Sequence, residues 1–268
     1  MAEQRLIPKV GSKVKLKDYD PSDTSGYSKE SAQAEQAKLE ARLTELQEKL
    51  YAQGTQSLLV VLQAMDAGGK DGTIKKVFSV VNPQGVHVTS FKAPTADELA
   101  HDFLWRIHPR VPAKGYVGIF NRSYYEDVLI VRVNKLAPRD VWEQHYDQIN
   151  AFERLIHDSG TRILKFYLHI SKDEQKKRFQ ERLDNPEKWW KFSVDDLAVR
   201  EKWDDYMDAY GAAITHCNTE YAPWYIVPAN HKWYRDIVIT RAIVETLEDM
   251  KVAYPKAKED LSGVTIPD

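Results

Sequence analysis

Three groups of residues in this 268-residue chain have the chemistry to handle phosphate. The first is Asp66-Ala67-Gly68-Gly69-Lys70-Asp71-Gly72-Thr73. Glycines let a backbone fold around an anion without Cβ clashes, and Lys70 adds a full positive charge where phosphate would sit. The spacing resembles the P-loop pattern G-x-x-x-x-G-K-[ST], with departures. Ala64 stands where the first glycine belongs, Asp71 takes the Ser/Thr position, and Thr73 comes two residues late. The magnesium that a P-loop hydroxyl normally holds then falls to Asp66 or to Thr73. The second group is Asn121-Arg122-Ser123-Tyr124-Tyr125-Glu126-Asp127. Arg122 is placed to hold a phosphate or to pair with Glu126 four residues on. The third is Arg178 and Arg182, four apart on one face of a basic segment that also carries Lys172, Lys176 and Lys177.

The neighbouring elements decide whether these groups can meet. Leu58-Leu59-Val60-Val61-Leu62 is a short continuous apolar run, the signature of a parallel strand covered on both faces. Apolar residues resume after the loop at Ile74, Val77 and Phe78 with helical spacing. The glycine loop therefore joins a strand to the positive end of a helix. Tyr116–Phe120 is a further strand, and ligands of open α/β sheets gather beyond the carboxyl ends of strands, so Asn121 and Arg122 should lie beside the loop. Further strands are expected at Val86–Phe91, Ile163–Ile170 and Trp224–Pro228. Helices are expected at Ser28–Ala52, Ala96–Ile107, Pro138–Ser159, from Ser171 onward, at Ser193–Thr219 and at His231–Met250. Leu39, Leu43, Leu46 and Leu50 form an apolar stripe on the first helix, suited to the sheet or to a partner subunit. In the Pro138–Ser159 helix, Val141, Trp142, Ile149, Phe152, Leu155 and Ile156 should face inward. Arg178 and Arg182, Asn185-Pro186 and Trp189-Trp190 read as a charged flap with an aromatic hinge, or as an exposed helix. Residues 1–27 read as a polar arm, in which Lys13, Lys15 and Lys17 alternate along one edge. The tail from residue 255 reads as loose.

Composition narrows the class. A formal net charge of −2 gives no global basic field of the kind nucleic-acid binders carry. The single cysteine excludes an internal disulfide framework and suits a reducing compartment. No apolar run approaches a membrane span and the N-terminus lacks a signal-peptide core, so a cytoplasmic protein is expected. There is no Ser-His-Asp arrangement, no Cys-His pair and no zinc spacing. A phosphate cradle, magnesium-competent carboxylates, a strand-end arginine and a cationic flap together suit phosphoryl transfer, which needs positioning and charge neutralisation.

The motifs resemble those of the family-2 polyphosphate kinases. The resemblance rests on Met65–Thr73, on Phe120–Leu129, on Lys177–Arg182 with Pro186–Lys191, and on Ala222-Pro223-Trp224-Tyr225 with Lys232, spanning roughly residues 30–250. It implies a thymidylate-kinase-like three-layer α/β/α sandwich with a helical lid at about 172–205, within one domain over 28–254. It implies reversible phosphoryl transfer between inorganic polyphosphate and adenine nucleotides, with guanine as a second base. By position, Asp66, Lys70, Arg122, Arg178 and Arg182 become the catalytic set. Residues 67–73, with Lys75, Lys76, Arg122, Arg132 and Arg178, become the polyphosphate track. Arg106, Asn121 and Glu126 become nucleotide ligands, and Asp66, Glu126 and Asp127 become ligands for Mg²⁺, with Mn²⁺ as a substitute. Many members have Asp where this chain has Asn121. Asn121 and Glu126-Asp127 resemble the members that phosphorylate both AMP and ADP. A homo-oligomer, dimer or tetramer, is implied. The rivals are an ATP-dependent nucleoside monophosphate kinase of the same fold and a non-catalytic polyanion binder.

Overall fold

The computed structural model describes residues 6–257 and 259–267. Residues 1–5 of the expected arm, and Lys258 and Asp268 of the expected tail, lie outside them.

The buried strand expected at 58–62 is β1, Ser57–Gln63, with every residue buried. It is the middle strand of a five-stranded sheet in the order β2-β3-β1-β4-β5, where β2 is Val86–Ser90, β3 Val117–Asn121, β4 Thr161–His169 and β5 Trp224–Pro228. All four pairings are parallel. Parallel strands need crossovers, and the helices supply them on both faces. The crossovers leaving the adjacent strands β1 and β3 run in opposite directions across the sheet, which opens a crevice beyond their carboxyl ends.

The first helix, α1 (Lys29–Gln53), starts at a Ser28 capping box completed by Ser31 and ends at Gly54 in the left-handed conformation. Leu43, Leu46 and Leu50 are buried and Leu39 partly so. The stripe packs inside the chain, with α1 lying along the C-terminal helix α9 (Lys232–Asp249), and is not a free surface for a partner. The loop after β1 runs into α2 (Lys70–Val77), which also packs on α9.

Three expectations are corrected. The helix read over 96–107 is only α3, Ala96–Leu99; Asp102 Oδ1 takes the backbone N–H of Leu104 at 3.0 Å, a local side-chain bond that competes with the helical ladder. The chain then passes through a 3₁₀ turn at His108–Arg110 to β3. A short helix, α4 (Ile130–Val133), precedes α5 (Arg139–Asp158). The buried stripe of α5 is Trp142, Tyr146, Ile149, Phe152, Glu153 and Ile156; Val141 and Leu155 fall beside it and are exposed. After α6 (Lys172–Leu183), the single helix expected at 193–219 is two, α7 (Asp195–Glu201) and α8 (Trp203–Cys217). They part at Lys202, whose N–H closes a tight turn on Val199 O at 3.2 Å.

A fully buried ion pair sits in the core. Lys165 of β4 and Glu153 of α5 are both fully buried, 2.6 Å apart. Lys165 Nζ also donates to Tyr125 Oη and Cys217 O, and Glu153 Oε1 accepts from Tyr124 and Tyr125. A buried pair survives only when its remaining donors and acceptors are satisfied, as here. The network fixes Tyr124 and Tyr125, and with them the turn that leaves β3 carrying Arg122.

Candidate active site

A cleft of about 860 Å³ opens at the carboxyl ends of β1 and β3. Its floor is the loop from Asp66 to Gly72. The loop is tightly wound: Gly68 N–H bonds Met65 O at 2.9 Å, and a Cβ on Gly68 would come within 2.8 Å of that same oxygen. Gly69 has φ +109° and begins α2; a Cβ there would lie 2.2 Å from Arg235 Nη1. Only glycine satisfies both the backbone angle and this approach. The start of α2 opens onto the cleft, so its free N–H groups have the direction that suits an anion.

Lys70 lies in the cleft wall with Nζ on Ala64 O at 2.8 Å. Burial, and after it the neighbouring Arg122, holds its ammonium below the ordinary lysine value. The negative charge of a phosphate beside it would offset both effects.

Arg122 sits at the end of β3 with φ +62°, a conformation costly for a side chain larger than glycine. Its N–H bonds Leu62 O of β1 at 3.1 Å, and its Nη2 lies 2.8 Å from Asp66 Oδ1. It does not form the helical pair with Glu126. Burial works against its charge, but Glu126 and Asp66 together hold the guanidinium above its ordinary value. Asn121 also lines the cleft, its amide donating to Asp71 Oδ1 at 2.7 Å.

Arg178 of α6 does something the sequence did not suggest. It is 5 % exposed. Its Nη1 donates to Ala67 O and Gly68 O at 3.0 and 3.1 Å, its Nη2 to Ala229 O and Asn230 O, and its Nε to Glu174. A guanidinium has five N–H donors, and all five have protein acceptors. Arg178 lines the cleft and clamps the phosphate loop to the turn after β5. The guanidinium with donors to spare is Arg235 of α9, 2 % exposed, in the cleft wall. Asp236 holds its Nε and Nη2 at 2.8 and 2.6 Å, and one Nη1 donor reaches Gly69 O at 3.4 Å. No motif marked Arg235; its trace in sequence is an Arg-Asp pair just ahead of the apolar run Ile237-Val238-Ile239.

The expected lid closes one side of the cleft. α6 leads into a 3₁₀ turn, Pro186–Lys191, then into α7. Lys188, Trp190, Lys191 and Asp196 line the cleft, with Trp190 79 % exposed. Arg182 braces the turn, donating to Lys191 O at 2.7 Å and facing Asp196 at 3.8 Å. Arg200 bonds Gln175 Oε1 at 3.0 Å, and Gln175 Nε2 bonds Asp66 O at 2.9 Å, tying the far end of the lid to the loop.

Other expected site residues lie elsewhere. Thr73 is fully buried, with its hydroxyl making no hydrogen bond, and does not line the cleft. Lys75 and Lys76 point off α2 outside the cleft; Lys76 pairs with Glu40 at 2.7 Å. Arg132 bonds Tyr146 Oη at 3.4 Å, stands over the Trp142 ring, and belongs to a different cleft. Arg106 pairs with Glu98 and bonds Lys92 O, bracing the Phe91-Lys92 wall from behind. Glu126 accepts from Gln63 Nε2 at 3.1 Å, and neither it nor Asp127 lines the cleft. Burial, with the Glu126 charge against Arg106, pushes the Asp127 carboxyl up to about 7. The carboxylates that do line the cleft are Asp66, Asp71, Glu181 and Asp196. Asp196 is raised by burial and by the charge of Asp66, so the two face one shared space. Among the described residues no three His, Cys, Asp or Glu side chains converge on a metal position. A cleft with a carboxylate beside a phosphate cradle fits Mg²⁺, which takes one or two carboxylates and completes its shell with substrate phosphates and water.

The model of the polyphosphate kinase 2 family matches residues 26–255. The chain belongs to the polyphosphate kinase 2 family. It is 57 % identical to the AMP/ADP-polyphosphate phosphotransferase of Meiothermus ruber over 268 residues, 99 % of this chain and all of that one. It is 49 % identical to the ADP-polyphosphate phosphotransferase of Rhodopseudomonas palustris over 227 residues, 80 % of this chain and 78 % of that one. The crystal structure of polyphosphate kinase 2 from Arthrobacter aurescens TC1 superposes with a TM-score of 0.93 at 48 % identity, covering 97 % and 93 % of the two chains. The three-layer fold with a parallel sheet is thus that of solved family members.

Proposed function

We propose that this chain transfers phosphoryl groups reversibly between inorganic polyphosphate and adenine nucleotides, making ADP from AMP and ATP from ADP. The observation that carries the reading is the convergence of Lys70, Arg122 and Arg235 on one cleft above a left-handed glycine loop, in a chain whose family is established. AMP and ADP both serve as acceptors in the reading suggested by Asn121, and the name of the Meiothermus ruber relative supports it.

The backbone N–H groups of residues 69–72, at the start of α2, cradle the terminal phosphates of the donor. Lys70, Arg122 and the spare donors of Arg235 neutralise the charge that spreads over the phosphoryl oxygens. An oxygen of the nucleotide's terminal phosphate attacks the terminal phosphorus, and the P–O bond to the next phosphate breaks. Asp66 would hold Mg²⁺, which would supply further charge neutralisation when bound. Asp66 also fixes the Arg122 guanidinium, while Arg178 holds the loop in shape. The lid with Trp190 and Lys191 covers the acceptor and keeps out water, the competing nucleophile. No described helix is long and apolar enough to cross a membrane, and a buried free cysteine suits the reducing cytoplasm in which we place the reaction.

The test is an assay of purified protein with magnesium and polyphosphate, offered AMP and ADP separately and resolved by chromatography. ADP from AMP and ATP from ADP are expected. Product from ADP alone would remove AMP as an acceptor. Activity with ATP but none with polyphosphate would transfer the case to an ordinary nucleotide kinase, and magnesium-independent binding without turnover to a polyanion binder.

A further inference from the structure

A second cleft, of about 950 Å³, shares no wall residue with the first. One wall is the N-terminal arm. Val14 and Leu16 are buried, so the alternation that sets Lys13, Lys15 and Lys17 on one edge is held in place. Val14 N–H bonds Thr215 Oγ1 of α8 at 2.9 Å, and the arm passes so close to α8 that a Cβ on Gly211 would meet Val14 O at 3.1 Å. Further back, Asn218 bonds Pro8 O at 2.7 Å and Ile226 N–H bonds Leu6 O at 2.8 Å. The arm is thus a fixed wall, and its three lysines line the cleft.

Arg132, which the first cleft does not use, lines this one with Lys172. None of these five cations forms an ion pair among the described residues. Asp204 and Asp208, one turn apart on α8, are the only carboxylates in the described wall, so positive charge prevails five to two. His169, 7 % exposed, bonds Tyr19 O through Nε2, lines the cleft, and leaves Nδ1 without a hydrogen bond. In a chain of net charge −2, five unpaired cations around one hollow mark an anion site.

The two clefts lie at opposite ends of α6. Lys172 opens the helix and Arg182 stands in its last turn, ten residues or about 15 Å away. The Lys172 carbonyl is held by Arg200 at 2.7 Å, the same guanidinium that reaches Asp66 through Gln175. We propose that the second cleft binds the part of a long polyphosphate chain remote from its reacting end. This rests on the function proposed above. A chain of many phosphates can occupy both clefts, whereas tripolyphosphate is too short to leave the first.

The test compares K13A/K15A/K17A with the unaltered protein on long-chain polyphosphate and on tripolyphosphate. These lysines are exposed, and the thermal midpoint should not move. The KM for long-chain polyphosphate should rise roughly tenfold, the sum expected of three weak ion pairs. The steepness of its salt dependence should fall by about two to three charges. Both constants for tripolyphosphate should stay within twofold. D204N/D208N should shift the long-chain KM the other way. A working enzyme with an unchanged long-chain KM in both variants overturns the second cleft and leaves the proposed function standing. An equal rise for both chain lengths also overturns it, since the lysines would then act at the first cleft. A protein that turns over no polyphosphate overturns the proposed function itself.

Discussion

Arg122 Nη2 stands 2.8 Å from Asp66 Oδ1, joining the ends of β3 and β1 across the mouth of the cleft. Neither residue can be moved without the other. Arg122→Ala should lower kcat by about 10²–10³-fold, the range for loss of one group that stabilises transition-state charge. Arg122→Gly removes the same side chain but suits the +62° backbone, so its thermal midpoint should not fall. Equal stability loss in both variants would contradict the strain at this residue.

Arg178 and Arg182 should separate cleanly. Arg178→Ala strands Glu174 and four carbonyl oxygens in a buried region. The expected cost is about 3 kcal/mol, or a fall in Tm of roughly 6–12 °C in a chain of this size. Arg182 is half-buried at the cleft edge. Arg182→Ala should lower kcat by about tenfold or more and leave Tm nearly unchanged. A thermal melt of each beside its rate decides the assignment; a stable Arg178→Ala would refute the clamp.

Gly69→Ala should be damaging through Arg235. The new methyl would meet Nη1 at 2.2 Å, and φ +109° already disfavours any side chain. A loss of about 2–3 kcal/mol is expected in denaturant unfolding. Arg235→Lys keeps a cation beside Asp236 but loses the fork. The KM for polyphosphate should rise about tenfold with little change in midpoint. An unchanged KM would take Arg235 out of the phosphate site.

Asp127 predicts a pH dependence. Its folded carboxyl titrates at about 7 against 3.8 for an ordinary one. Between those values the folded state holds the extra proton, so stability is greatest below the lower value and falls as pH rises toward 7. Asp127→Asn removes this penalty. The variant should match the unaltered protein at pH 4 and exceed it at pH 8 by up to about 4 kcal/mol. Urea melts at the two pH values supply the comparison; a constant difference would exclude the mechanism.

Removing divalent metal should abolish transfer and leave the fold intact. No described cluster of three ligating side chains exists to be broken. Chelator should therefore stop turnover with a Tm shift below about 1 °C, far from the behaviour of a structural metal site. A large shift would indicate an all-protein cage.

The phosphate loop was legible in the sequence because its requirements are local. A buried strand, a glycine turn, one lysine and a helix start lie within 25 consecutive residues, and period and backbone freedom specify them without reference to the rest of the chain. The helical capping at Ser28 and the placement of Asn121 and Arg122 followed from the same local rules. The lengths of α3, α7 and α8 did not, because single side-chain bonds at Asp102 and a tight turn at Lys202 override propensity.

What the tertiary structure decided is which cations face phosphate. Sequence supplies Arg122, Arg132, Arg178 and Arg235 as equal charges, more than 100 residues apart at the extremes. Folding spends the five donors of Arg178 on four backbone carbonyls and the Glu174 carboxylate, sends Arg132 to a second cleft, and brings Arg235 up beneath Gly69. Likewise the Asp127 carboxyl is pushed up to about 7 by burial away from the cleft, while Asp196, unremarkable in sequence, is brought to face Asp66. A side chain's role in binding depends on how many of its donors and how much of its charge remain after packing, and packing partners are set by contacts distant along the chain.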